Sequence, residues 1–337
     1  MTRREPFLIA EAGVNHNGDA RLAVKLVDAA ADAGADAVKF QTFKAEDLAI
    51  EAAPKAKYQL SGAPRGSQLE MLRALELSEE GHRLALGRAR RRGIEFLSTP
   101  FDEPSADFLH RLGVRRFKLG SGELTNLPLL RHVARKGRPM LLSTGMSTLT
   151  EVREAVRAIR RAGRVELSLL HCVSCYPADP KDANLRAMKT LETAFRVPVG
   201  FSDHTPGIEV SVAASALGAA ILEKHFTLNK KLPGPDHAMS LDPAELAEWV
   251  RAIRSARAAL GDGVKAPRPA ETEIRRVARR SVVLSLAAKA GTRLTADMLA
   301  LKRPGTGLPP SALSSLIGKT LKRDAAADTL LRRDLLR

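Results

Sequence analysis

The stretch Phe7-Leu8-Ile9-Ala10-Glu11, followed by Leu22-Ala23-Val24-Lys25-Leu26-Val27, Gly34 and Ala37-Val38-Lys39-Phe40-Gln41-Thr42, decides the fold. The first run is short and apolar, as a strand inside a packed domain is. The second carries apolar side chains at helical spacing, and Gly34 supplies the left-handed residue that stops a helix. The third is strand-like again, so a crossover helix joins two strands that run parallel. The unit then repeats. Strand-like runs recur at 94–99, 116–119, 139–143, 166–172, 197–202 and 219–224, with Gly93, Gly113, Gly137 and Gly163 at the ends of the helical stretches. Eight such units predict an α/β fold, a (β/α)8 TIM barrel, over residues 1–262. The stretch 49–68 interrupts the repeat after the second strand and is expected to overhang the barrel mouth. Two Pro and two Gly between Gly261 and Pro269 mark a linker, placed at 263–277. Short strand-like pieces from Ser281-Val282-Val283-Leu284 onward make a small second domain over 278–337.

Bulk properties narrow the function. A chain of 337 residues, 44% hydrophobic and 27% charged, buries a large core. No apolar run approaches the roughly 20 residues of a membrane span, and a strand begins within a few residues of Met1, which leaves no room for a signal peptide. A cytoplasmic protein with no membrane partner is expected. The only cysteines, Cys172 and Cys175, cannot build a disulfide framework. A redox pair usually opens a helix, whereas Tyr176-Pro177 follows these two at a strand end, which reads as packing. The net charge of +16 invites a nucleic-acid reading, yet residues 266–337 hold 15 Lys or Arg against 6 Asp or Glu and no aromatic residue on which bases could stack. A solvated basic surface, with no nucleic-acid partner, is the expectation.

In a barrel of this kind the C-terminal strand ends form the open mouth. Those ends carry Glu11 with Asn15 and His16, Lys39 with Gln41, Thr99, Lys118 with Ser121, Ser143, His171 with Ser174 and Tyr176, Ser202-Asp203-His204, and Glu223 with His225. Two lysines and several serines facing one cavity make an anion cradle and imply a phosphate-bearing substrate. The same lysines also suit a Schiff-base aldolase, and the residues alone leave both readings open. His204 and His225 end consecutive strands at metal-ligand separation, with Asp203, Glu223 and Asp236 close in sequence. Two nitrogen ligands with water or substrate oxygens suit Mn²⁺, with Mg²⁺ and Co²⁺ as alternatives.

Taken in order, the motifs Ile9-Ala10-Glu11-Ala12-Gly13-Val14-Asn15-His16-Asn17-Gly18, Val38-Lys39-Phe40-Gln41-Thr42, Lys118-Leu119-Gly120-Ser121-Gly122-Glu123, Leu142-Ser143-Thr144-Gly145-Met146, Ser202-Asp203-His204-Thr205, Glu223-Lys224-His225-Phe226 and Gly234-Pro235-Asp236-His237 resemble the sialic acid synthase family over nearly the whole chain. Lys302-Arg303-Pro304-Gly305-Thr306-Gly307 resembles the antifreeze-like SAF (β-clip) domain fused to these synthases. The resemblance implies that Lys39, Lys118, Ser121, Ser143 and Ser202 hold phosphoenolpyruvate and that His204 and His225 bind the metal. It implies that Gln41, Tyr176 and Asp236 meet an acetamido sugar and that Glu11 orients reacting groups or water. It also implies a homodimer in which Arg303 reaches the sugar from the partner's SAF domain. Ser174 stands where several members carry Asn and offers a single hydroxyl to the phosphoenolpyruvate carboxylate.

The activity expected from this resemblance is an N-acetylneuraminate synthase using N-acetylmannosamine, with an N,N'-diacetyllegionaminate synthase using the 2,4-diacetamido-2,4,6-trideoxy sugar as the alternative. The stretches Phe43 to Leu48 and Pro54 to Gln59 resemble those two classes more than pseudaminate synthases. A reading from a different class makes the small domain a carbohydrate- or nucleic-acid-binding module on a degenerate barrel. Intact lysine, serine and histidine positions speak against degeneracy.

Overall fold

The computed structural model describes residues 5–56, 59 and 66–337, in two compact units, 1–262 and 263–337. In the first, eight parallel strands follow the expected alternation: β1 (Phe7–Gly13), β2 (Ala37–Thr42), β3 (Glu95–Pro100), β4 (Phe117–Leu119), β5 (Met140–Ser143), β6 (Leu167–Cys172), β7 (Val199–Asp203) and β8 (Ile221–His225). The order β3-β2-β1-β8-β7-β6-β5-β4, with β3 and β4 packed side by side, closes the sheet into a barrel.

Period-two alternation separates the faces. Outward residues such as Leu8, Ala10, Val38, Phe40, Phe117, Leu119, Phe201 and Leu222 join the helices in the main core. Inward, Ile9, Ala37, Leu97, Leu141, Leu170 and Ile221 form an apolar plug. One step along each strand the inward face changes character, to Glu11, Lys39, Thr99, Lys118, Ser143, Cys172, Ser202 and Glu223. The plug is therefore the floor on which a polar layer stands. Gly200 belongs to it because a Cβ there would strike the Ile221 carbonyl and come within 2.8 Å of the Ile221 Cβ.

Capping residues fix the helices that frame the mouth. Ser67 and Glu70 make a reciprocal capping box at the start of the helix Gln68–Leu75, and Asp102 caps Glu103–Leu112 through Ser105. The helix Gln68–Leu75 begins at the end of the stretch read as an insertion. Of that stretch, Lys57, Tyr58 and residues 60–65 lie outside the described residues.

The second unit pairs β9 (Ser281–Leu284) antiparallel with β10 (Leu299–Lys302) over a small core of Val282, Leu284, Leu294, Leu316, Leu321 and Leu331. The stretch read as linker contains most of a short exposed helix, Thr272–Ala278. Arg303 follows β10 directly and is exposed. No helix among the described residues is long and apolar enough to cross a membrane.

Candidate active site

A cavity of about 510 Å³ opens above the polar layer at the C-terminal ends of the strands. It is lined by Glu11, Lys39, Gln41, Lys118, Ser121, Ser143, Ser174, Tyr176, Ser202, His204, His225 and Asp236, which are all the residues of the first unit singled out as site residues. Thr99, Cys172, Glu123 and Glu223 line it too. A roomier recess of about 750 Å³ lies at the opposite end of β7, against the helix Ala187–Phe195. Its charged rim includes Lys189 and Glu192, which pair with each other at 2.7 Å, and it holds none of the strand-end residues. The smaller cavity is the one with chemistry.

Its floor is a buried quartet of charges. Lys39 Nζ lies 2.7 Å from Glu11 and 3.8 Å from Glu223, and Lys118 Nζ lies 3.2 Å from Glu223. Glu223 also accepts a hydrogen bond from Ser202 Oγ at 2.9 Å. Burial opposes its ionisation, but Lys118, Lys39 and Ser202 outweigh burial and bring its pKa down to about 2. Glu223 thus takes most of the stabilisation the lysines offer. Burial then dominates at Glu11, whose carboxyl is pushed up to about 7 despite Lys39. Burial also opposes the charge on Lys39, yet Glu11 and Glu223 outweigh it and leave that pKa raised. At Lys118 burial wins over Glu223, and the pKa is lowered.

Hydroxyl groups stand along one side of this floor. Ser143 Oγ is buried without a hydrogen-bond partner among the described residues. Ser121 Oγ accepts from the Gly145 N–H at 3.0 Å and contacts Cys172 Sγ at 3.1 Å. Gly145 lets these side chains approach, because a Cβ there would lie 2.8 Å from Cys172 Sγ and 2.9 Å from Ser121 Oγ and would strike Ser174 Oγ. Three small polar side chains therefore converge where a larger residue would fill the space. Ser174 is brought to the group its position called for.

On the other side stand the two imidazoles, 5.6 Å apart between ring centroids. His204 Nδ1 donates to the Val173 carbonyl at 2.7 Å, which leaves Nε2 unprotonated and 3.5 Å from Ser202 Oγ. Tyr176 packs on His204 at 4.2 Å and meets His225 edge-on at 5.8 Å. Burial brings the pKa of His204 down to about 4 and that of His225 well below its ordinary value, so both rings stay neutral, the form that ligates metals. Asp236 lies 4.0 Å from His225 Nδ1, and burial pushes its carboxyl up to about 6. His225 Nδ1 has no hydrogen-bond partner among the described residues. Among the described residues no three His, Cys, Asp or Glu side chains form a metal cluster. A cation here would have two imidazoles, with the remaining positions left to water or substrate, and the two neutral rings, with His204 Nε2 unprotonated, fit that role.

Several strand-end residues prove structural. His171 Nε2 bonds the Ala183 carbonyl at 2.8 Å and its ring packs on Phe201, away from the cavity. Asp203 turns outward to Lys224. Asn15 donates to the Phe226 carbonyl at 2.8 Å and to Ser240 Oγ at 3.0 Å, and Ser240 in turn donates to the Asp236 carbonyl at 2.6 Å. Asn15 therefore positions the loop that carries Asp236. His16 is fully buried and accepts from the Gly18 N–H at 3.0 Å.

Burial, with His82 and His237 adding to it, holds the His16 pKa down to about 3. The unfolded chain takes up that proton first, so stability should be intact above pH 6.5 and fall as pH drops from 6.5 toward 3. His16→Gln, which cannot titrate, should flatten denaturant-derived stability over that window by up to about 1.4 kcal/mol per pH unit. An unchanged slope counts against a buried neutral His16.

The chain matches the model of the NeuB family over residues 26–265 and that of the SAF domain over 279–337. It is 51% identical to an N,N'-diacetyllegionaminic acid synthase of Legionella pneumophila, covering 96% of this chain and 93% of that protein. It is 44% identical to one of Campylobacter jejuni, covering 98% of this chain and 99% of that protein. The crystal structure of the N-acetylneuraminic acid (sialic acid) synthetase of Leptospira borgpetersenii superposes with a TM-score of 0.71 at 36% identity, covering 81% of this chain and 90% of that one.

Proposed function

The chain belongs to the NeuB family, and on that premise we propose that it condenses phosphoenolpyruvate with an acetamido sugar to give a nonulosonic acid and phosphate. One observation carries the reading: a charge-balanced floor of two lysines and two carboxylates, flanked by Ser121, Ser143 and Ser202, faces two neutral imidazoles across a single cavity. Lys39, Lys118 and the serines hold the phosphoenolpyruvate anion, and Ser174 adds one donor beside Ser121. His204 and His225 hold a divalent metal, of which Mn²⁺ is the expected ion. When bound, it polarises the carbonyl of the open-chain sugar. Gln41, Tyr176 and Asp236 bind and orient that sugar, so that C3 of phosphoenolpyruvate forms the new bond to its aldehyde carbon. Water adds at C2, and cleavage of the bond from C2 to the bridging oxygen releases phosphate and leaves a keto group. Glu11, with a carboxyl near neutrality, is the group on the floor that can hold the proton of that water.

The partner is a second copy of the chain, whose SAF domain supplies Arg303 to the sugar. The cytoplasm remains the expected compartment, and the free thiols Cys172 and Cys175 fit a reducing one.

For the sugar, both expected readings belong to this family, and the relatives quoted above favour the legionaminate alternative. Over the aligned stretches the chain is 51% and 44% identical to two N,N'-diacetyllegionaminic acid synthases, against 36% for the sialic acid synthetase. This supports the 2,4-diacetamido-2,4,6-trideoxy sugar. Side-by-side phosphate-release assays with Mn²⁺ should show that sugar favoured over N-acetylmannosamine by about tenfold or more, a difference of about 1.4 kcal/mol. The reverse preference restores the neuraminate reading. No keto-acid product from either sugar, with metal and phosphoenolpyruvate present, overturns the activity.

A further inference from the structure

The two imidazoles in the cavity are each preceded in sequence by a charged residue, and those two residues meet behind the sheet. Asp203 and Lys224 are register partners across β7 and β8, one position before His204 and His225. Successive residues of a strand face opposite ways, so this outward pair stands directly behind the inward pair of histidines. Lys224 Nζ lies 3.0 Å from Asp203 Oδ2, with side chains only 4% and 0% exposed.

The pair holds the residue that follows His204. Asp203 Oδ1 accepts from the Thr205 N–H at 2.9 Å and from Thr205 Oγ1 at 2.7 Å, bridging over the histidine. Its Oδ2 accepts from Ser211 Oγ at 2.6 Å, at the start of the next helix. Lys224 Nζ donates to the Thr205 carbonyl at 2.7 Å. Thr205 is thereby held through its N–H, its hydroxyl and its carbonyl by the two partners of one ion pair. The His204 carbonyl accepts from the Ala178 N–H at 2.9 Å, and its ring is aimed by Val173 and Tyr176. Asp203, Thr205, Ser211 and Lys224 do not line the cavity.

A buried ion pair is a weak source of stability, because desolvation offsets the attraction; its better attested use is to fix a register. We propose that Asp203 and Lys224 form a positioning clamp that locks β7 and β8 in the register setting the His204–His225 separation, and thereby sets the affinity of the site for a divalent cation. This rests on the reading of the two histidines as metal ligands.

The test is Mn²⁺ binding to the metal-free full chain, followed by the paramagnetic resonance of free Mn²⁺. Lys224→Met and Asp203→Asn should raise the Kd for Mn²⁺ by about 10- to 100-fold, the range typical of residues that orient ligands. The KM for phosphoenolpyruvate at saturating Mn²⁺ should stay within about twofold, because neither residue reaches the cavity. Val156→Ala, which truncates a buried side chain on the helix Leu149–Ala162, lowers stability without touching the clamp and should leave the Mn²⁺ Kd unchanged. If Lys224→Met and Asp203→Asn do not fold, Thr205→Val and Ser211→Ala, each removing one hydrogen bond from the same carboxylate, decide by the same measure. Wild-type protein that binds Mn²⁺, with folded variants of unchanged Kd, overturns the clamp. Wild-type protein that binds no Mn²⁺ overturns the metal reading instead.

Discussion

Lys118→Ala should lower kcat/KM for phosphoenolpyruvate by about 30- to 4,000-fold, because truncating one partner of a buried charged contact at a binding site costs about 2–5 kcal/mol. The floor is balanced, with Lys39 and Lys118 against Glu11 and Glu223, all of them buried. Taking away Lys118 leaves Glu223 with a single lysine at 3.8 Å and removes one positive charge from the floor where an anion must sit. The loss should appear as weaker phosphoenolpyruvate binding in direct titration as well as in turnover. A loss under about tenfold would remove Lys118 from the anion cradle. The lowered pKa of Lys118 also suits an amine that attacks a carbonyl, so the Schiff-base reading has to be tested in the same protein. Borohydride added with both substrates should leave Lys118 and Lys39 unlabelled. A lysine found covalently trapped would exchange the cradle for an aldolase.

The barrel is legible because short apolar runs alternate with helical stretches eight times, and within each strand a period of two then sorts the faces. Once Ile9 is placed inward, Glu11 must be as well, and the same step carries Lys39 above Ala37 and Ser143 above Leu141. What the pattern hides is which inward residues touch across the barrel. Glu223 read as one more strand-end carboxylate near the histidines. Its work as the bridge between Lys39 and Lys118 depends on strands far apart in sequence, β2, β4 and β8, and no spacing along the chain encodes that. His171 misled for the complementary reason. It sits one residue out of phase with Leu170 and Cys172, so alternation turns it outward, and strict use of the period would have removed it. Asn15 and His16 lie past the end of β1, where alternation no longer applies, and only their hydrogen bonds show that they hold a loop rather than a substrate. In the stretch read as linker, the Pro and Gly at 261–269 fall where residues 261–268 form neither helix nor strand. Thr272–Ala278 then forms a helix with Ile274 and Val277 exposed, a pattern too short to stand out.

Mixing two inactive variants should restore activity, and by a predictable amount. A recess of about 280 Å³ in the unit built on the small core of β9 and β10 is lined by Ala287 to Lys289 and Asp324 to Ala326 and not by Arg303, so on the proposed reading Arg303 contributes to the reaction by reaching a barrel. The proposed dimer makes that barrel the partner's. Arg303→Ala then damages only the tail, and His225→Ala damages only the barrel. In a mixed dimer, the intact barrel of the first variant meets the intact tail of the second and forms one working site, while the other site carries both lesions. With equal mixing about half the dimers are mixed, so about a quarter of all sites should recover. Co-expression of differently tagged copies, followed by purification through both tags, isolates the mixed species and should raise the recovered fraction to about half its sites. Verified mixed dimers with no recovery, from variants that are each inactive alone, would place the tail in cis. Near-normal turnover by Arg303→Ala alone would make it a solvated arginine of the basic tail and remove the small domain from the active site.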